Sequence, residues 1–171
     1  MNVNTMKNLA TFFCGMAALI AGCDGISPKG GNVETCEKVP DPISLLLPQK
    51  ISIHPFTQTA TFEDGKQGLH MRIQFTDFFG DPTKAFGDLR FELYEFKPYQ
   101  QHKRGDQLDI WDEYISDPDK NMIHWDSHTR SYEFRLASKN PILPGQKFIL
   151  VVYFNSRFTP RMTAETVLTA E

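Results

Sequence analysis

Hydrophobic and polar residues alternate along most of the chain. In LHMRIQF (69–75) every second residue is Leu, Met, Ile or Phe, with His, Arg and Gln between them. The same alternation recurs in DLRFEL (88–93) and YEFRL (132–136). Because successive side chains of a β-strand point to opposite faces, this pattern predicts strands with one buried and one solvated face. Helical periodicity is nearly absent.

One segment, FILVVYF (148–154), is apolar on both faces and rich in β-branched and aromatic residues. That composition is typical of a central strand covered on both sides. Lys147 and Asn155 bracket the segment with polar side chains, which protect it against aggregation. Lesser strands are predicted at Lys50–Ile53, Ala60–Phe62, Leu108–Trp111, Ile123–Trp125 and Thr163–Leu168.

Turn-forming residues separate these segments. Glycine, proline and acidic residues gather at positions 63–65, 80–82, 116–119 and 144–145. Such clusters favour tight turns over continued strands, because they supply the backbone angles that turns require. Seven or eight short strands separated by such turns predict an all-β fold, an antiparallel β-sandwich.

The segment ILPGQKFILVVYF (142–154) resembles the Leu-x-Pro-Gly-x-x-Tyr strand entry of fibronectin-type, transthyretin-like and related immunoglobulin-like sandwiches. Phe148 stands where many of those domains have a tyrosine. The resemblance therefore implies an immunoglobulin-like or transthyretin-like sandwich that lacks the hydrogen bond of a tyrosine corner.

The first two dozen residues resemble a bacterial lipoprotein signal. Residues 9–21 are mostly apolar but number thirteen, too few to cross a bilayer, which takes about 20. Ile20-Ala21-Gly22-Cys23 then resembles the lipobox, in which cleavage falls between Gly22 and Cys23. The resemblance implies that Cys23 carries diacylglycerol and becomes the mature N-terminus. An ordinary secretory signal is the alternative.

Cysteine usage fits a lipoprotein. Cys14 leaves with the signal and Cys23 takes the lipid, so Cys36 has no intrachain partner. It is then a free thiol or half of an intermolecular disulfide, and its neighbours suggest no activated thiolate, which favours the free thiol. With an ordinary secretory signal, Cys36 pairs with Cys23 instead.

The residues after Cys23 predict a tether and bear on sorting. Residues 23–41 are rich in Gly, Pro, Ser and charge, which predicts a flexible tether between the signal (1–22) and the sandwich (42–171). Asp24 resembles the inner-membrane retention signal of enterobacterial lipoproteins. LRFELYEF (89–96), with the lipobox and tether, is similar to the transthyretin-fold lipoprotein of type VI secretion systems, which implies the outer membrane. Both membranes stay open.

Charge and composition exclude some partners. Removing residues 1–22 takes away one lysine and no acid, so the formal net charge falls from −3 to −4. The one basic cluster, His102-Lys103-Arg104, is too short for a phosphate-binding stripe. The sequence therefore predicts no nucleic-acid partner.

Motifs for catalysis and metal binding are weak. The chain has no Gly-x-Ser-x-Gly elbow, phosphate-binding glycine loop or His-Glu-x-x-His, and it predicts no enzyme, no cofactor and no metal centre. His124 and His128 lie in a predicted strand-to-turn region, where their spacing gives no common site. Asp77, Asp81 and Asp88 form a candidate cation loop, although turn formation explains them more simply.

Aromatic residues in predicted loops are the surplus that packing does not require. Phe78, Phe79, Phe86 and Tyr99 form a candidate patch for stacking on a glycan or docking a protein. The predicted function is a lipid-anchored, non-enzymatic binding module of the cell envelope, whose partner is an envelope protein or a glycan. The alternatives are an accessory subunit of a secretion or export complex and a carbohydrate- or calcium-binding domain.

Overall fold

The computed structural model describes residues 36–171. They begin with a short 3₁₀ helix at Ile43–Leu46 and contain one α-helix, α1, at Pro118–His124. Ten strands make up the rest of the regular structure: β1 Lys50–Ile53, β2 Gln58–Thr61, β3 Gln67–Thr76, β4 Pro82–Thr83, β5 Asp88–Phe96, β6 Arg104–Tyr114, β7 Trp125–Asp126, β8 Ser131–Ala137, β9 Lys147–Asn155 and β10 Met162–Thr169.

The strands form two antiparallel sheets. In the first sheet β3 pairs with β1 and β2 on one side and with β8 on the other, while β7 adds to β8 and β4 to the end of β3. The second sheet has the order β10-β9-β5-β6. The predicted all-β antiparallel sandwich is confirmed. Residues 36–171 contain ten strands, above the predicted seven or eight, and β4 and β7 are only two residues long.

The core lies between the sheets and follows the predicted alternation. The inward side chains of β3, β5, β8 and β9 are at most 1% exposed. Aromatic rings bridge the two layers: Phe75 meets Phe154 at 4.7 Å between ring centroids, and Phe91 meets Phe134 at 5.2 Å. Offset aromatic pairs of this kind add to the stabilisation that burial of their apolar area provides.

The predicted central strand is β9, which lies between β5 and β10 and is buried on both faces. Val152 faces the other sheet, whereas its neighbour Val151 faces outward and is still fully buried. Side chains of the adjacent strands flank that outer face: Tyr94 donates a hydrogen bond to Glu92, and Arg104 lies 5.6 Å from the Tyr94 ring. Burial and the Glu92 carboxylate raise the pKa of Tyr94 to about 12.

Cross-strand charge pairs cover the outer face of the first sheet, as the alternating charges predict. Arg72 lies opposite Glu133 and donates to it at 2.7 Å, and a second guanidinium nitrogen reaches Asp126 at 3.0 Å. Hydrogen bonds from the Thr129 hydroxyl and the His128 amide, with the Arg72 contact, hold the pKa of Asp126 far below its usual range.

The segment 116–125 differs from its prediction. The sequence predicts a turn followed by a strand at Ile123–Trp125, but the segment forms α1, and only Trp125 of the predicted strand is extended. Asp117 caps the helix by accepting from the amides of Asp119 and Lys120, and Pro118 occupies the first turn, where its missing N–H costs nothing. The Asp-Pro pair signals a helix start as well as a turn.

Candidate functional site

Both sheets contribute loops to one end of the sandwich, the pocket end. β3 and β9 finish there, and β5 begins there, because Asp88 pairs with Asn155 and Lys50 with Thr76. The 3₁₀ helix lies against the turn after β3, since the Phe78 amide donates to the Leu45 carbonyl at 3.2 Å. The β5–β6 turn lies at the opposite end.

The pocket end contains a cavity of about 340 Å³, the end pocket. This volume lies at the lower limit of small-ligand sites, which run from ~300 to ~1,000 Å³. The residues that line it come from four separate parts of the chain and are mainly apolar; they include Leu47, Ala85, Phe86, Met122, Phe158 and Thr159.

A buried hydrogen-bond network holds one wall of the end pocket. The Asn121 side chain on α1 donates to the carbonyls of Ala85 at 2.7 Å and Ile115 at 2.8 Å. The Tyr132 hydroxyl of β8 accepts from the Ala85 amide at 3.0 Å, and two acceptors lie within reach of its proton, Asn121 Oδ1 at 2.9 Å and the Ala85 carbonyl at 3.1 Å. Burial raises the pKa of Tyr132. The network ties α1 and the β4–β5 loop to the first sheet.

The opposite wall is aromatic and meets the N-terminal segment. The Arg157 guanidinium lies 5.7 Å from the Phe86 ring and 5.1 Å from the Phe158 ring, within cation–π range. The Arg157 carbonyl accepts from the Glu37 amide at 2.6 Å. The Arg157 guanidinium lies 3.7 Å from the Glu37 carboxylate. The chain therefore enters the sandwich at the pocket end.

The residue after Phe86 lies close to the end of β9. A Cβ at Gly87 would be 2.3 Å from the Asn155 carbonyl oxygen, so a residue larger than glycine does not fit there.

Large apolar side chains are exposed around the end pocket. We call them the pocket-end surface. Phe78 and Phe79, in the turn after β3, contact each other edge to face at 5.5 Å and are 66% and 64% exposed. Patches of exposed apolar side chains mark interaction sites on soluble domains. The surface comprises Ile43, Leu46, Phe78, Phe79 and Met122.

The structure divides the predicted aromatic patch. Phe78, Phe79 and Phe86 all lie at the pocket end, but Tyr99 is fully exposed in the β5–β6 turn. The nine residues of β5 separate the two ends by roughly 30 Å. The four residues therefore do not form one patch, because residues on either side of a strand's full length cannot meet.

The candidate cation loop is held by hydrogen bonds within the protein. Asp77 Oδ1 accepts from the amides of Phe79 at 2.9 Å and Asp81 at 3.0 Å, which is the turn-forming role. Asp88 accepts instead from the Ser116 hydroxyl at 2.8 Å. Within residues 36–171, no three His, Cys, Asp or Glu side chains are placed to hold a metal ion. The three aspartates do not form a common site.

His124 and His128 have different surroundings and do not form a common site. His124 packs on the Phe134 ring at 4.4 Å, and its Nδ1 contacts the Glu133 carbonyl at 2.9 Å. His128 is nearly fully exposed beside Asp126. Cys36 is exposed and forms no disulfide within residues 36–171. The lipidation and sorting residues Gly22, Cys23 and Asp24 lie outside the described residues.

Comparison with known proteins found no matching family model, no matching curated protein and no matching solved structure. Within residues 36–171 we find no helix with the length and apolar character that crossing a bilayer requires.

Thr159 offers a test of how the end pocket is built. Its hydroxyl is buried and has no hydrogen-bond partner among the described residues, which costs free energy. We expect Thr159→Val, which keeps the shape and removes the hydroxyl, to leave the free energy of unfolding unchanged or raise it by about 1 kcal/mol. Urea unfolding measures this. A loss of more than about 1 kcal/mol would show that the hydroxyl makes a stabilising bond.

Proposed function

We propose that this protein is a lipid-anchored cell-envelope module that binds another envelope component through its pocket end and carries out no catalysis. The observation that carries the proposal is the end pocket with the exposed apolar residues around it. Exposed apolar area of this kind lowers solubility, so its presence on a folded domain supports an interaction role. The lipobox at Ile20-Ala21-Gly22-Cys23 supports the anchor.

The polar groups of the end pocket support binding rather than chemistry. Asn121 is engaged with two carbonyls, and Ser156 Oγ accepts from the Phe158 amide at 3.2 Å. The titratable side chain of the lining, Lys84, lies over the Trp125 ring at 5.4 Å and has no base or nucleophile paired with it in the described residues. General acid–base catalysis needs a titratable group within hydrogen-bond reach of the reacting atom, and nucleophilic catalysis needs a base beside the nucleophile. The apolar lining instead suits the burial of apolar groups from a partner.

The anchor is tested on the full chain expressed in a bacterium that processes lipoproteins. We expect the intact mass of the membrane-derived protein to show the loss of residues 1–22 and an added lipid on Cys23. Cys23→Ala should move the protein out of the membrane fraction, because two or more acyl chains are what hold such a protein on a bilayer.

Cys36→Ala is the matched control, since Cys36 is an exposed cysteine outside the lipobox. This variant should keep the lipid and the membrane location. An unmodified Cys23 in the wild-type protein, or one joined to Cys36, would falsify the anchor.

A further inference from the structure

We infer that the partner of the pocket-end surface is the lipid bilayer itself, with Phe78, Phe79 and Met122 inserted at the level of the headgroups. The inference rests on the lipid anchor of the proposed function. It names the occupant of the apolar surface and fixes the orientation of the sandwich, with the pocket end on the membrane and the β5–β6 turn facing away from it.

The first support is where the chain enters the sandwich. The Glu37 amide is bonded to the Arg157 carbonyl, next to the aromatic wall of the end pocket. Cys36 follows Cys23 by thirteen positions, and the tether predicted from the composition of this segment would span about 20 Å on average. The opposite end is a further ~30 Å away along β5. A lipid on Cys23 therefore keeps the pocket end at high effective concentration beside the bilayer.

The second support is the chemistry of the two ends. The pocket-end surface exposes five large apolar side chains from three separate segments, each at least 57% exposed. The loops at the opposite end expose Tyr99 and Leu143, while the β5–β6 turn is otherwise polar, with the sequence KPYQQHK at 97–103. Apolar side chains at a membrane boundary gain free energy by leaving water. The apolar end is thus the end that the tether presents.

The charged side chains near the pocket-end surface indicate how it contacts a membrane. Asp77 and Asp81 lie in the same turn as Phe78 and Phe79, while Lys84 lines the end pocket and Arg157 is paired there with Glu37. The pocket end therefore carries charges of both signs and forms no basic patch for anionic headgroups. The contact is apolar, and it should be insensitive to salt and should not strengthen with anionic lipid, unlike binding through a basic patch.

The test uses the lipidated full chain, reconstituted alone into phosphatidylcholine vesicles that contain a lipid with a photoactivatable group at the boundary between its headgroup and its acyl chains. After illumination, peptides that carry the probe are mapped by mass spectrometry. We expect labels at 77–81 and in α1, no label at 97–103, and the same yield at low and high salt. Phe78→Ser with Phe79→Ser should lower the labelling of α1 several-fold, because the inserted apolar area is lost.

Tyr99→Ser is the matched control, since Tyr99 is the exposed aromatic residue of the opposite end. It should leave the labelling unchanged. A lipidated chain with labels at 97–103, or with none at the pocket end, overturns this inference and leaves the anchor standing. Labelling of the pocket end in native membranes but not in vesicles that contain the protein alone would also overturn this inference, because it would show that the surface binds a membrane protein. A chain without lipid on Cys23 overturns both proposals.

Discussion

Val152→Asp is expected to abolish folding. Val152 is fully buried on the face of β9 that meets the other sheet, and its register partners are Phe91 and Ala164. No cation is in register beside it, so the new carboxylate is desolvated without a partner. Such a burial costs several kcal/mol, a large part of the ~5–15 kcal/mol that stabilises a domain. The measurement is the yield of soluble protein and its urea unfolding.

Charged substitutions at Val151 provide a comparison with those at Val152, because Val151 is equally buried but faces away from the other sheet. Its register partners are Glu92 and Glu165, both acidic. Val151→Asp should therefore be strongly destabilising, whereas Val151→Lys should be tolerated better, since a lysine there lies between two carboxylates. At Val152 the sign of the charge should make no difference. Val167→Asp, at an exposed position of β10, is the control and should change the stability by less than about 0.5 kcal/mol.

Near-normal stability of Val152→Asp would contradict the placement of the core. Equal effects of aspartate and lysine at Val151 would contradict the outward orientation of that residue. The two positions together separate burial between the sheets from burial beneath neighbouring side chains, which a single substitution in β9 does not do.

The strands could be predicted from the sequence because their alternation is local. Each inward residue of β3, β5 and β8 is two positions from the next, so the period shows the buried face directly. In β9 the period is lost, because both faces are apolar. The sequence therefore predicts a central strand there but does not distinguish Val151 from Val152.

The helix and the end pocket could not be predicted in the same way. α1 is seven residues long and has no buried residue, so it shows no amphipathic period. Leu47, Phe86, Met122 and Phe158 line one cavity although up to 111 positions separate them. Only the pairing of strands brings such residues together. Aromatic residues in predicted loops indicate Phe86 but equally indicate Tyr99, which the fold places at the other end of the sandwich.

Asn121→Ala is expected to produce the second large loss of stability. The substitution leaves the Ile115 carbonyl without its side-chain donor. It also removes the Asn121 donor of the Ala85 carbonyl, so that only the Tyr132 hydroxyl, at 3.1 Å, is left to donate to that carbonyl. A buried group that loses its partner costs about 1–3 kcal/mol, less where water reaches it, so we expect a loss of about 1–3 kcal/mol in urea unfolding. Asn140→Ala is the matched control, because the Asn140 side chain donates one exposed bond to the Leu108 carbonyl and its loss should cost less than about 1 kcal/mol.

Tyr132→Phe shows whether the bonds of Asn121 act as one network. It removes the hydroxyl that joins Asn121 to the Ala85 amide and should also destabilise the protein. Because Asn121 and Tyr132 share a hydrogen bond and both contact Ala85, the double variant should lose less than the sum of the single losses, by about 1 kcal/mol. Strict additivity would show that the two side chains act independently. A smaller loss for Asn121→Ala than for Asn140→Ala would mean that α1 does not depend on this network, and that the end pocket keeps its wall by apolar packing alone.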